Sequence, residues 1–341
     1  MTSRRFRDNE RRRRIVFGAY DSTPVHYSVM LFLLLTIATG CTHPQNVQPL
    51  QVVPIEQFYA YDRDLPLNAE VTEGQRSNSY VIYRMQYNSV HDKRVPAWWC
   101  VPTIGTPPYP CVIIMHGYGG DKNGLQMLAP AFAARGIATL AIDAEYRGDR
   151  KQPGSDIFSA YIYRNRDALI QTVIDLRRAI DFLQSRKEID GKRIGYIGLS
   201  MGGILGGILA GVDERVQAPI LIVAGGDWGY LFSHSQHPTA VQLREKHPEL
   251  FQSAQKMSEV MGAVDPVSWA GRIAPRPLLM INGNNDQIVP KECTERLFAS
   301  AKEPKEIVWL DGGHMPQPDA VLRKVNEWLS KHLLDRQSAP Q

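Results

Sequence analysis

The sequence predicts an α/β fold: a mostly parallel sheet with helices on both faces and a small helical insertion at about residues 229–270. Three observations carry this. From residue 79 onward, short apolar runs of strand length alternate with segments of helical periodicity, the pattern of parallel strands joined by crossover helices. At Arg193–Gly203 an apolar strand runs through a tight glycine-flanked turn directly into an apolar helix. Two late strands, Pro277–Ile281 and Glu306–Leu310, each lead into a loop rich in glycine, asparagine and aspartate.

The N-terminus stands apart from this pattern. Residues 1–40 hold seven arginines against Asp8, Glu10 and Asp21, and account for the whole net charge of +4, so the rest of the chain is neutral. A nucleic-acid partner is therefore not indicated. Val29–Ile37 is an apolar run too short to span a bilayer comfortably, and it follows the positive stretch as the core of a signal peptide would. Ala38-Thr39-Gly40-Cys41 resembles a bacterial lipobox, which makes residues 1–41 an export segment ending on a lipidated cysteine. The other reading is an uncleaved N-terminal membrane anchor. Both place the body of the protein outside the cytoplasm, either held at the membrane or in the periplasm. Residues 42–56, with Pro44, Gln45, Gln48, Gln51 and Pro54, read as a polar tether, and the folded domain is expected over 57–341.

Within the domain, Ser79–Tyr87 and Val95–Val101 read as opening antiparallel strands and Cys111–Met115 as a short buried strand. A helix is expected around Gly124–Ala134, then a strand over Ala138–Ile142. Arg166–Leu183 places Leu169, Ile170, Val173, Leu176, Ile180 and Leu183 on one helical face. After the strand Pro219–Val223 comes the helix-rich insertion, whose Leu250, Phe251, Ala254, Met257 and Met261 recur at helical spacing, as in a face packed down on the domain. A helix near Lys291–Ala301 and a last one over Ala320–Leu333 complete the pattern. Besides Cys41 there are Cys100, Cys111 and Cys293. In the fold that the site motifs below resemble, another strand would separate the strands of Cys100 and Cys111, too far for a bridge, so free buried thiols are expected.

Chemistry concentrates at the strand–turn–helix junction. Gly198-Leu199-Ser200-Met201-Gly202 is a G-x-S-x-G nucleophile elbow, in which the flanking glycines relieve collisions and the serine is held over the sheet edge. The Met201 N–H opens the helix and faces the same space, where it is a candidate oxyanion donor. A serine hydroxyl is barely nucleophilic at neutral pH and needs a base. His116-Gly117-Tyr118-Gly119-Gly120 follows the strand Cys111–Met115. Its glycines let the backbone approach a substrate, the Tyr118 N–H is the second oxyanion candidate, and His116 is read as a residue that orients the loop.

These pieces, with Asp143-Ala144-Glu145-Tyr146-Arg147-Gly148 and Asp265-Pro266…Pro277-Leu278-Leu279, resemble the α/β-hydrolase superfamily over about residues 79–335. Within it they look like the dienelactone-hydrolase and acetyl-xylan-esterase branch, with Ser200 where dienelactone hydrolases proper carry cysteine. The resemblance implies an α/β-hydrolase fold, the chain order nucleophile, acid, histidine, and no metal or organic cofactor. In that order only His314 and His332 come late enough to be the base, and His332 lies inside the last helix. His314 stands on the loop Asp311-Gly312-Gly313. Asp286 follows the preceding strand and is the expected acid, with Asp227 and Asp311 as rivals. The implied activity is hydrolysis of a small-molecule carboxylic ester, with short acyl or acetyl groups favoured by the small insertion. Trp228, Tyr230, Phe232 and Trp269 are the aromatics expected to narrow the space beside Ser200. An acyltransferase or peptidase using the same residues, and a non-catalytic binding protein on this scaffold, are the alternatives.

Overall fold

Among the described residues, nine strands, numbered β1 to β9 along the chain, form one sheet. The computed structural model describes residues 53–334 with the exception of Ser253. The expected export segment 1–41, its Cys41, and tether residues 42–52 lie outside the described residues. Among the described residues no helix is long and apolar enough to cross a membrane. A 3-10 helix over Ile55–Tyr59 straddles the expected tether boundary, and its Tyr59 is buried with the hydroxyl donating to Ala263 O at 2.8 Å.

The strands β1 (Glu70–Arg76), β2 (Tyr80–Asn88) and β3 (Arg94–Pro102) are antiparallel, and β3 pairs antiparallel with β5 (Ala138–Ile142). The rest is parallel: β5 with β4 (Tyr109–Met115), then β6 (Ile189–Leu199), β7 (Val216–Ile222), β8 (Leu278–Gly283) and β9 (Lys305–Leu310). On β4 the side chains alternate between two cores. Cys111, Ile113 and Met115 enter one, and Val112 and Ile114 the other, as the two-residue period of a doubly covered strand requires. The first core lies under α3 (Ile162–Gln184), α4 (Met201–Val212) and α8 (Lys291–Ser300). The second is covered by α9 (Pro318–Leu329), with Val325, Trp328 and Leu329.

Several boundaries differ from expectation for physical reasons. The helix expected at Gly124–Ala134 is two short helices, α1 (Asn123–Gln126) and α2 (Ala129–Ala133). Pro130 sits in the first turn of α2, where a missing N–H costs nothing. The final helix ends as an α-helix at Leu329 and continues as a π-helical turn over Ser330–Leu334. β1 is an edge strand whose residues are nearly all exposed, so no apolar alternation announces it. The insertion comprises α5 (Trp228–His234), α6 (Pro238–Lys246), α7 (Ala254–Met261) and 3-10 turns. Met257 and Met261 are buried, as the helical spacing implied, whereas Leu250 and Phe251 belong to a separate 3-10 turn.

Cys100, Cys111 and Cys293 are free and buried, and β5 lies between the strands of the first two. Burial pushes the Cys100 and Cys293 thiols up to about 12 and raises that of Cys111 as well, so all three are protonated at neutral pH.

Candidate active site

Ser200 is the single residue between the end of β6 and the first residue of α4, and its backbone is held at φ 54° and ψ −116°. A non-glycine residue there carries about 1–3 kcal/mol of strain, so the surroundings must fix it. The Ser200 N–H donates to Ile222 O at 2.8 Å, and its carbonyl accepts the Ile204 N–H at 2.9 Å. The flanking glycines are needed for space. A Cβ on Gly198 would stand 2.2 Å from Gly202 O, and one on Gly202 would stand 2.4 Å from Met115 O.

The parallel neighbours β8 and β9 deliver the other two groups. Asp286, in the loop after β8, has one carboxylate oxygen accepting the N–H groups of Ile288 (2.8 Å) and Val289 (3.0 Å). Its other oxygen is 2.8 Å from His314 Nδ1, and His314 Nε2 is 2.9 Å from Ser200 Oγ. A carboxylate only accepts, so it holds the imidazole proton on Nδ1 and leaves Nε2 as the acceptor facing the serine hydroxyl. The Asp286 side chain is 2% exposed and that of His314 22%, so the pair is shielded while the imidazole edge stays reachable. The rival acids are engaged elsewhere. Asp227 caps α5 through the Tyr230 N–H and pairs with Arg296, and Asp311 accepts from Asn284 Nδ2. His332 lies in the π-helical turn against Trp328.

The loop after β4 packs against the elbow. His116 is 2% exposed, with Nδ1 donating to Gly117 O (2.8 Å) and Nε2 accepting the Ala144 N–H (3.1 Å). It thereby ties this loop to the one after β5, and burial lowers its pKa and keeps it neutral. Arg147, from the loop after β5, lies 4.0 Å over the Tyr118 ring. Tyr118, Ser200 and Met201 line one cavity of about 50 Å³, whose further wall is Phe158, Trp228, Leu231, Phe232, Ile288 and Val289. Of the four aromatics expected near Ser200, Trp228 and Phe232 are there, stacked with ring centroids 5.6 Å apart. Tyr230 instead stacks on His234 under Arg296, and Trp269 is buried beneath α4 with its Nε1–H on Ala263 O. Sequence reasoning missed Phe158 and His237 on the cavity wall. Phe158 lies in a stretch without periodicity, and a histidine before Pro238 reads only as a turn.

The architecture and the elbow together agree with one family. Residues 59–332 match the model of the acetyl xylan esterase family. The chain belongs to that family. It is accordingly a carboxylic-ester hydrolase of the α/β-hydrolase fold. The acetyl xylan esterase from Paenibacillus sp. R4 superposes with a TM-score of 0.68 at 24% identity, covering 81% of this chain and 92% of that one. Acetyl xylan esterase 1 from Thermoanaerobacterium sp. JW/SL YS485 gives 0.69 at 19% identity, with the same coverage. At these identities the two structures speak for the fold. YtaP of Bacillus subtilis (strain 168), which bears a provisional hydrolase name, is 24% identical over 246 residues, 68% of this chain and 79% of its own.

Proposed function

We propose that the protein hydrolyses short-chain acyl esters, acetyl esters among them, through an acyl-enzyme on Ser200. The observation that carries this is the chain of contacts from Asp286 through His314 to Ser200 Oγ, at 2.8 and 2.9 Å, on the wall of a small apolar cavity. Ser200 Oγ attacks the acyl carbon as its proton passes to His314 Nε2. Asp286 keeps the imidazole in the productive tautomer and stabilises the imidazolium. The N–H groups of Met201, at the start of α4, and of Tyr118 hold the oxyanion. His314 then protonates the leaving alcohol, and water, activated by the same nitrogen, releases the acid. A cavity of about 50 Å³ has room for about four waters, the space of a two- to four-carbon acyl group.

A fluorophosphonate probe tests the reading directly: wild type should be labelled on Ser200 and Ser200→Ala should not. Labelling that survives Ser200→Ala, together with retained esterase activity, would overturn it. We further propose export with lipid attachment at Cys41, a reading supported by the sequence of residues 1–41 alone.

A further inference from the structure

The cavity beside Ser200 has two unlike walls. One is apolar, formed by Phe158, Trp228, Phe232 and their neighbours, and the other is formed by Tyr118, Thr239 and His237. On this second wall the Tyr118 hydroxyl donates to Asp156 Oδ2 (3.0 Å) and accepts from Thr239 Oγ1 (3.4 Å). Arg147 holds the other oxygen of Asp156 at 2.7 Å. Among the described residues, one polar side-chain atom of Tyr118, Thr239 and His237 has no protein partner, and it is Nε2 of His237.

His237 sits between α5 and α6 as the N-cap of α6, with Nδ1 accepting the Thr239 N–H at 3.2 Å. A ring nitrogen that accepts carries no proton, so the proton of the neutral imidazole is on Nε2, at the far end of the ring. Burial, with His314 and Arg147 nearby, lowers the pKa of His237 and keeps this neutral form. The segment is rigidly held: the His237 N–H donates to Ser235 Oγ (3.0 Å), that hydroxyl donates to Ile288 O (2.6 Å), and the Gln236 N–H donates to Gln287 O (2.8 Å). The ring stands edge-to-face with Tyr118 at 5.2 Å. It is therefore fastened to the loop that carries Asp286, with one N–H left over. Capping alone would not call for imidazole, since serine, aspartate and asparagine cap better.

We propose that His237 is a positioning residue for the alcohol side of the ester, its Nε2–H donating to a substrate oxygen beside the ester oxygen. A hydroxyl or ring oxygen of a sugar-like alcohol meets that requirement, and a plain aryl alcohol does not. The acyl group then fills the cavity against its buried apolar wall, and the alcohol extends outward from it past Tyr118, Thr239 and His237, which are partly exposed. The inference rests on the Ser200 reading, which is what brings an ester to this cavity.

The test uses two substitutions that separate capping from donation. His237→Asn keeps a short acceptor for the Thr239 N–H but cannot reach the Nε2 position, whereas His237→Gln carries an amide N–H about that far out. For each, kcat and KM are measured on an acetylated pyranoside and on phenyl acetate. The ratio of kcat/KM, pyranoside over phenyl acetate, should fall about tenfold in His237→Asn, mainly through KM, and return to within about threefold in His237→Gln, as expected for one neutral hydrogen bond. If His237→Asn fails to fold, His237→Ser gives the same comparison. An unchanged ratio, or equal falls on both substrates, overturns the proposal. Fluorophosphonate labelling on the same preparations separates the two failures. Labelled protein with an unchanged ratio refutes the role of His237 alone, and wild type that resists the probe refutes the Ser200 reading beneath it.

Discussion

On the proposed assignment of the cavity to the acyl group, Phe232→Ala should extend the accepted acyl chain to medium length. Phe232 is 7% exposed and closes the apolar wall, its ring 5.6 Å from Trp228 and 5.5 Å from Phe158, centroid to centroid. Wild type should peak at about two to four acyl carbons, because beyond that the cavity gives no further return on each methylene. Removing the phenyl ring opens space for about three more methylenes, each stabilising the bound state by about 0.8 kcal/mol. The sum, about 2.4 kcal/mol, corresponds to a roughly sixtyfold gain in kcat/KM for heptanoyl over butyryl esters, relative to wild type. The assay is kcat/KM on 4-nitrophenyl esters from two to twelve carbons. A Phe→Ala change in a packed core costs about 3–5 kcal/mol, and the lower end applies to a ring already facing a cavity, so a melting curve accompanies the kinetics. A folded variant still peaking at two to four carbons would refute the assignment of this cavity to the acyl group. A wild-type profile climbing steadily to twelve carbons would refute its size limit.

On the proposed mechanism, Ser200→Ala and His314→Ala should each lower kcat by about three or more powers of ten, with little further loss on combination, as expected of two residues acting as one unit. Asp286→Asn should be severe and Asp227→Asn mild; the reverse outcome would reassign the acid. Stability should fall with pH below about 6.5, where the unfolded chain gains protons that His116 and His237, both with lowered pKa in the fold, do not take up. Urea midpoints between pH 5 and 8 check this, and the slope should flatten in His116→Gln. Expressed in a bacterium, the full chain should partition with membranes, with Cys41→Ser changing both processing and partitioning. An intact N-terminus on the mature wild type, by mass spectrometry, would exclude lipid attachment at Cys41.

The parts of the site legible in the sequence are those that local sterics dictate. Ser200 adopts a left-handed backbone only because Gly198 and Gly202 clear the atoms around it, and glycines at such spacing between a strand and a helix are visible in any reading. What sequence conveyed poorly was direction. Trp228, Tyr230, Phe232 and Trp269 fall within forty-odd residues, but two face the cavity and two do not. Trp228 is aimed inward because Asp265 accepts its N–H and that of Asp227, with the Trp228 Nε1–H on Val264 O. Those partners lie far along the chain, and no local pattern encodes them. Edge strand β1 escaped for the complementary reason, since an exposed strand carries no apolar alternation to read.

The choice of acid shows where spacing ends and register takes over. Asp227, Asp286 and Asp311 each follow a strand, and the sequence favours Asp286 because its strand is the one preceding that of His314. The sheet order β7-β8-β9 supplies a physical basis for that preference. His314 leaves β9, and the neighbouring strand on its parallel side is β8, paired from Leu278↔Lys305 to Gly283↔Leu310, so the loop carrying Asp286 emerges beside the loop carrying His314. Asp227 follows β7, one strand further along, and is spent on capping α5 and pairing with Arg296. Asp311 is on the same loop as His314 but turns to Asn284. Asp286 is also the one of the three whose second oxygen is anchored by two backbone N–H groups, those of Ile288 and Val289. A carboxylate pinned in that way holds the imidazole at a fixed angle to Ser200, and the proposed proton transfer between serine and histidine would then need no prior reorganisation of the site.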